Sequence, residues 1–545
     1  MSSTRKAWGV GVLLLLAAAP LIGARFWNLE ADMPLSLTRS GMPYTDEGWY
    51  NSNAFNLVRF GRWHAPLGLN LGVNLPVYAA MQIVGLKLLG PSLGSARAVV
   101  VVCSLVLILA GHVWLRRDVS RRAAWLFTVL AGTNFFLFGY SRLALLEIPL
   151  ALFIVLSFYA VLTPASRRPL LSAALSSLAC AAALLTKSTA MPMLPAALFV
   201  LWRRDPDRRR AIACCALFLA IQAAVVSGYY VVAARIWPED TRNFLIHNFA
   251  SGGAWMAGFI PLPPSALPPE SDADIAATHP PMAEDAEPPP ASTSSPAVRE
   301  HWLYVQLRSS YATLRVGVLS DPLLYGGAAV FGALALLLSR QLRRNLLVQS
   351  MLLWLTGYFV LIVIKHYWPF RYYVPVIVLV LVLTAAGWEE LARRGHRALS
   401  ALFALVLLAA VGGSLYRTWW YLSTPRFSWL EMARDVDRVI RSEAGDEATL
   451  LGNGATMVTM ATGLHGIEDR RGLGTLERRV RHYRPKYYMV RGDLPADRVQ
   501  PVLDVLYTME LMKRYDVFGN YLNREDVRLY RLIEKPEAWP DAPPR

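Results

Sequence analysis

The sequence predicts an α-helical polytopic membrane protein with about eleven transmembrane helices and a small C-terminal α/β domain. Three observations carry that reading. Of the 545 residues, 54% are hydrophobic and only 17% are charged. Apolar runs recur from Trp8 almost to Arg417, and several approach the ~20 residues that span a bilayer. Beyond them the composition changes to short strand-like runs and amphipathic helical patterns.

The expected spans are residues 7–26, 94–115, 122–137, 143–162, 170–186, 188–202, 211–235, 320–339, 345–364, 370–388 and 398–416. Arg5 and Lys6 precede the first, as in a signal peptide, but no small-residue cleavage site follows, so an uncleaved helix is expected. Short connections alternate in charge. Those holding Arg5/Lys6, Arg116/Arg117/Arg121/Arg122, Arg167/Arg168, Arg203/Arg204/Arg208/Arg209/Arg210, Arg340/Arg343/Arg344 and Arg393/Arg394/Arg397 carry nineteen basic residues. The opposite short loops carry four: Arg142, Lys187, Lys365 and Arg371. The positive-inside rule makes the first side cytoplasmic. The loop 27–93, the loop 236–319 and the C-terminal tail then share the outer face of a bacterial-type cytoplasmic membrane. The net charge of +16 is therefore a topology signal, and no nucleic-acid partner is expected. The four cysteines all lie in apolar runs, which predicts buried thiols and no disulfide framework.

Within 27–93, Asn53–Arg62 and Pro76–Leu89 have apolar faces and polar backs and read as interfacial amphipathic helices. Pro261 to Pro296 holds eleven prolines, six acidic residues and no Lys or Arg, the composition of a mobile flap or linker. Residues 421–545 form the soluble domain, of ordinary domain size. Ser428 and Glu431 stand at capping-box spacing ahead of a helical pattern. Strands are expected at Ala448–Leu451, Lys486–Val490 and Val527–Ile533, and helices at 475–482 and 495–514. No phosphate loop or nucleophile motif occurs there.

Ionisable groups at membrane depth are costly and mark function by default. Asp46 and Glu47 are adjacent in MPYTDEGWY, early in the first outer loop. Their ordinary reading is a helix N-cap and first-turn acid. Arg142 and Glu147 stand at the outer start of the fourth span, Lys187 between the fifth and sixth, and Lys365, His366 and Arg371 in the turn KHYWPFRYYVP. Singly, each basic residue reads as an interfacial snorkelling side chain. Jointly they place carboxylates and cations on one side, which suits a charged phosphate beside a membrane. His64 and His366 lack metal-ligand spacing, so no metal ligands are assigned; no cofactor is named, with a divalent metal left open.

These segments resemble the GT-C membrane glycosyltransferases, especially the protein O-mannosyltransferase and lipid A aminoarabinose transferase superfamily. The likeness lies in Asp46–Glu47, in Gly61–Arg62–Trp63 leading to Pro76–Val77–Tyr78, in Arg142 to Phe153, and in the turn Tyr367 to Pro375. It covers residues 1–420 in topology. Where members often show His-Pro-Pro, this chain reads Asn74-Leu75-Pro76. The resemblance implies an inverting transfer of a sugar from a polyprenyl-phosphate donor to a lipid, glycan or protein acceptor. Asp46 would then be the base toward the acceptor hydroxyl, with Glu47 orienting it or binding the acceptor and Glu147 a second candidate base. Arg142, Lys187, Lys365 and Arg371 would hold the donor phosphate. A secondary transporter is the rival from another class, but it usually shows internal repeats, and none is found. A non-catalytic envelope assembly protein would leave the outer charges without a role.

Overall fold

The computed structural model describes residues 19–34, 37, 42–68, 70–163, 168–245, 339–364, 370–445, 448–469, 475–492, 499–517 and 526–539. The Pro-rich stretch 261–296, Lys365, His366 and most of the spans expected at 7–26 and 320–339 lie outside these residues. Among the described residues, five helices are long and apolar enough to cross a membrane, or six if one bent pair counts as a single span. The chain is a multi-pass membrane protein. Apolar side chains such as Leu109, Leu405 and Leu408 stand exposed on these helices, where lipid would cover them.

Where they fall on described residues, the expected spans form helices, with two breaks beside the charged cluster described below. The run at 122–137 divides into Arg121–Thr133 and Phe135–Ser141, bent by 62°. Asn134 leaves helical geometry, and its side chain accepts the Leu137 amide at 2.8 Å, capping a new helix. The span expected from 143 begins instead at Glu147, as helix Glu147–Val161. Its missing turn has a tertiary cause: the Ala144 amide donates to Glu47 Oε1 at 2.7 Å rather than to a helical carbonyl.

The first loop is also helical. Met42–Phe60 forms one helix that carries Asp46 and Glu47 inside it, not at its cap. Pro76–Leu89 forms the next, with Pro at its start. From the first of these helices, buried Asn53 holds the connecting segment, donating to the Trp63 carbonyl and to Asn70 Oδ1 and accepting from the Gly72 amide. Asn70 in turn donates to Asp240 at 2.8 Å, and Trp63 stacks on Trp237.

The C-terminal domain carries a five-stranded sheet: β1 (Thr449–Gly452), β2 (His465–Ile467), β3 (Tyr487–Arg491), β4 (Tyr507–Tyr515) and β5 (Val527–Glu534), in the order β2-β1-β3-β5-β4. β1 is parallel to both its neighbours, while β5 is antiparallel to both of its own. The helical pattern expected at 495–514 is overturned in its second half. Gln500–Leu506 is helical, but Tyr507–Tyr515 pairs with β5 along its length, so inter-strand bonds outweigh a local pattern that also fits a helix. Helix Ala455–Thr462 and strand β2 were not expected from the pattern.

Strand alternation sends side chains to two cores. Leu451, Tyr488 and Val490 join Leu503, Leu506 and Trp539 on one face of the sheet. Leu450, Met489 and Leu529 point the other way and join the same continuous core as Phe55, Tyr78 and the membrane helices. Helix Ser428–Ala444 closes the junction, and its start departs from the expected capping box. Asp32, in the segment before the first-loop helix, accepts from the Ser428 amide (2.9 Å), the Ser428 hydroxyl (2.6 Å) and the Trp429 amide (3.3 Å). The cap comes from a residue almost four hundred positions away.

Candidate active site

Asp46, Glu147, Lys187 and Arg371 come together from four elements. Asp46 lies on helix Met42–Phe60, and Arg371 on the 3-10 turn Phe370–Tyr373 that precedes helix Val374–Arg393. Glu147 is the first residue of its helix, where the positive end of the backbone dipole favours an acid. Lys187 is the residue that ends helix Pro169–Thr186. All four side chains are buried.

They form a chain of alternating charge. Arg371 pairs with Asp46, and its Nε lies 3.6 Å from Glu147 Oε1. The same Glu147 oxygen accepts from Lys187 Nζ at 2.5 Å. Tyr372 lies beneath the cations, with Lys187 Nζ 3.8 Å and the Arg371 guanidinium 5.3 Å from its ring centre. Tyr358 fixes the turn by donating its hydroxyl to the Tyr372 carbonyl at 2.8 Å. Two carboxylates and two cations balance within this group. An incoming anion must therefore compete with a resident carboxylate for each cation, which makes the cluster responsive to a charged ligand.

Glu47 points elsewhere. Its two oxygens meet Arg97 Nε and Nη2 at 2.8 and 2.7 Å, a bidentate buried pair, and one of them also takes the Ala144 amide. Arg97 uses its remaining nitrogen on the carbonyls of Leu29 and Ala31. Asn51 reinforces the junction by donating to the carbonyls of Glu47 and Ala144. This arrangement ties three segments together around Glu47. Arg97 was missed in the sequence although a signal existed: it is an arginine near the start of an apolar span, the criterion that singled out Arg142.

Arg142 also stands apart from the four-residue cluster. It donates to the carbonyls of Ala24, Arg25 and Asn28, which end the helical residues 19–26. Its guanidinium lies between the rings of Phe138 and Tyr421. That is the geometry of a cation closing a helix C-terminus. Among the described residues, no group of three or more His, Cys, Asp or Glu side chains could hold a metal ion.

Comparisons agree with this architecture. Residues 82–234 match the family model of dolichyl-phosphate-mannose-protein mannosyltransferase, a little over a quarter of the chain. No curated protein sequence matches the chain directly. Among solved structures, ArnT from Cupriavidus metallidurans bound to undecaprenyl phosphate superposes with a TM-score of 0.57 at 14% identity, covering 96% of this chain and 98% of that one. The Archaeoglobus fulgidus oligosaccharyltransferase in complex with Zn and sulfate gives 0.55 at 13% identity, covering 88% and 67%. The archaeal oligosaccharyltransferase AglB from the same organism, with an inhibitory peptide and a dolichol-phosphate, gives 0.52 at 14%, covering 99% and 75%. The chain has the fold of the GT-C membrane glycosyltransferases.

Proposed function

We propose that this chain is an inverting glycosyltransferase. It moves a sugar from a polyprenyl-phosphate donor to a hydroxyl of a lipid, glycan or protein acceptor at the outer face of the cytoplasmic membrane. Residues 1–420 form the transmembrane transferase and residues 421–545 its outer-face domain. The observation that carries the reading is the buried Asp46–Arg371–Glu147–Lys187 chain within a GT-C fold. The undecaprenyl phosphate bound to ArnT and the dolichol-phosphate bound to AglB support a lipid phosphate as donor carrier. The nineteen-to-four charge asymmetry supports the orientation.

In this mechanism the donor phosphate takes the cations first. Arg371 and Lys187 turn from the carboxylates to the phosphate oxygens, which frees Asp46 beside the bound sugar. The acceptor oxygen attacks the anomeric carbon from the face opposite the phosphate, and its proton passes to Asp46. The carbon–oxygen bond to the phosphate breaks, and the lipid phosphate leaves as an anion held by the two cations. Glu147 keeps both cations in place between turnovers. Glu47 and Arg142 hold the scaffold through the contacts described above.

The test is transfer by the purified, detergent-solubilised protein with a panel of undecaprenyl-phosphate-linked hexoses and pentoses. Release of undecaprenyl phosphate and inversion at the anomeric carbon are expected for at least one sugar. A product with retained configuration, or release that survives both Asp46→Asn and Glu147→Gln, overturns the mechanism. Orientation is tested separately by a reporter active only outside the cytoplasm: fusion after Arg545 should give signal and fusion within residues 203–210 should not.

A further inference from the structure

Helix Met42–Phe60 packs along its length against the C-terminal domain. At its far end, Arg62 Nη2 lies 2.7 Å from His465 Nε2, and Phe60 makes an edge contact with the same imidazole. Near its start the approach is closer. A β-carbon on Gly48 would stand 2.5 Å from the Met457 amide nitrogen and 2.6 Å from Thr456 Oγ1, so only glycine admits helix Ala455–Thr462 here. Behind that contact lies Glu468, a buried carboxylate. It accepts from the Gly454 amide (3.1 Å), the Thr456 amide (3.0 Å) and the Thr456 hydroxyl (2.6 Å). Burial pushes its carboxyl up, against the hydrogen bonds from Thr456 that favour the charged form.

The geometry matters because of where Gly48 sits. Two residues along a helix is a rotation of about 200°, so Gly48 lies nearly opposite Asp46 on the same cylinder. A rigid helix pushed on its Gly48 side would carry Asp46 toward or away from Arg371. We infer that the C-terminal domain is a positioning part of the transfer site, with Glu468 setting the stance of the Asp46 helix through Thr456, which meets that helix at Gly48. The shared core described above gives this contact its stiffness, because Met457, Leu450 and Met489 pack in the same cluster as Phe55. The inference rests on the proposed role of Asp46.

Three variants test it: Gly48→Ala, Glu468→Gln and Thr456→Val, with Thr456→Ser keeping the hydroxyl and Arg531→Ala as an exposed control elsewhere in the domain. Turnover is counted per undecaprenyl-phosphate-binding site, so loss of folded protein does not register. Misplacement on the order of 1 Å can cost about 10²-fold. Gly48→Ala should lower kcat at least about 10-fold per binding site, Glu468→Gln and Thr456→Val by less, each with little change in donor KM. Thr456→Ser and Arg531→Ala should match the unmodified protein. Unchanged kcat per site in Gly48→Ala and Glu468→Gln overturns the inference. Hydrogen exchange separates it from the functional reading. Faster exchange over residues 46–53 in Glu468→Gln but not in Arg531→Ala supports the positioning contact even if no sugar is transferred, and equal exchange refutes it.

Discussion

The Glu47 carboxylate meets one guanidinium through two N–H groups and also takes an amide from Ala144, whereas the Asp46 carboxylate meets Arg371, a cation that Glu147 shares. The two acids are neighbours in the chain and equally buried. About 100° of helical rotation separates them, and that turn sends one into a closed junction and the other into a chain of exchangeable pairs. The closed pair has every oxygen committed to holding segments 29–31, 97 and 144 together. In the chain, Arg371 touches two carboxylates and Glu147 touches two cations, so an added phosphate redistributes contacts along it. Similar burial thus serves rigidity in one case and response in the other.

The largest expected effect breaks the chained side. Asp46→Asn keeps the shape of the side chain but removes the proposed base, so turnover should fall by roughly 10²–10⁴, measured as lipid-phosphate release. Affinity for undecaprenyl phosphate should hold or rise, since Arg371 loses a competitor. Turnover near normal would shift the base to Glu147.

Glu47→Gln breaks the closed side. It leaves Arg97 buried against a neutral amide and should cost about 3–5 kcal/mol in unfolding free energy. Detergent-phase denaturation checks this, and Glu47→Gln with Arg97→Met should recover part of the loss. If Glu47→Gln instead lowered kcat with stability intact, Glu47 would belong with Asp46.

Arg142 sharpens the contrast from the cation side. Arg142→Gln frees the carbonyls of Ala24, Arg25 and Asn28 and should destabilise by about 1–3 kcal/mol. Arg371→Gln should mainly weaken undecaprenyl phosphate binding. Equal losses of donor affinity in the two variants would place Arg142 at the phosphate as well.

The smallest effect concerns the far end of the same helix. Burial, then the neighbouring Arg62 charge, push the His465 imidazole down to about 4 from its ordinary 6.5. The folded protein therefore holds a neutral ring where the unfolded chain takes up a proton. Stability from this contact is fully present above about pH 6.5 and is lost as pH falls toward about 4, by about 1 kcal/mol after solvent screening. Midpoints of unfolding across that window should show the slope, and His465→Gln should flatten it.

The membrane class, most helix positions and the four charged residues that the fold brings together were legible in the chain itself. Hydrophobic runs and charge at membrane depth are properties of residue type, and they marked Asp46, Glu147, Lys187 and Arg371 before any contact was known. Sequence spacing alone could not sort them. Glu47 and Arg142 share the same residue types and surroundings, yet they engage Arg97 and the carbonyls that end helical residues 19–26. The break before Glu147, the cap on Ser428 and the strand at Tyr507–Tyr515 each depend on a partner far along the chain, at Ala144, Asp32 and β5. Local pattern reports which face of an element is apolar, because periodicity is a short-range property. Which charge meets which is decided by the rotation of each helix and by the segments packed against it, and those exist only once the chain has folded.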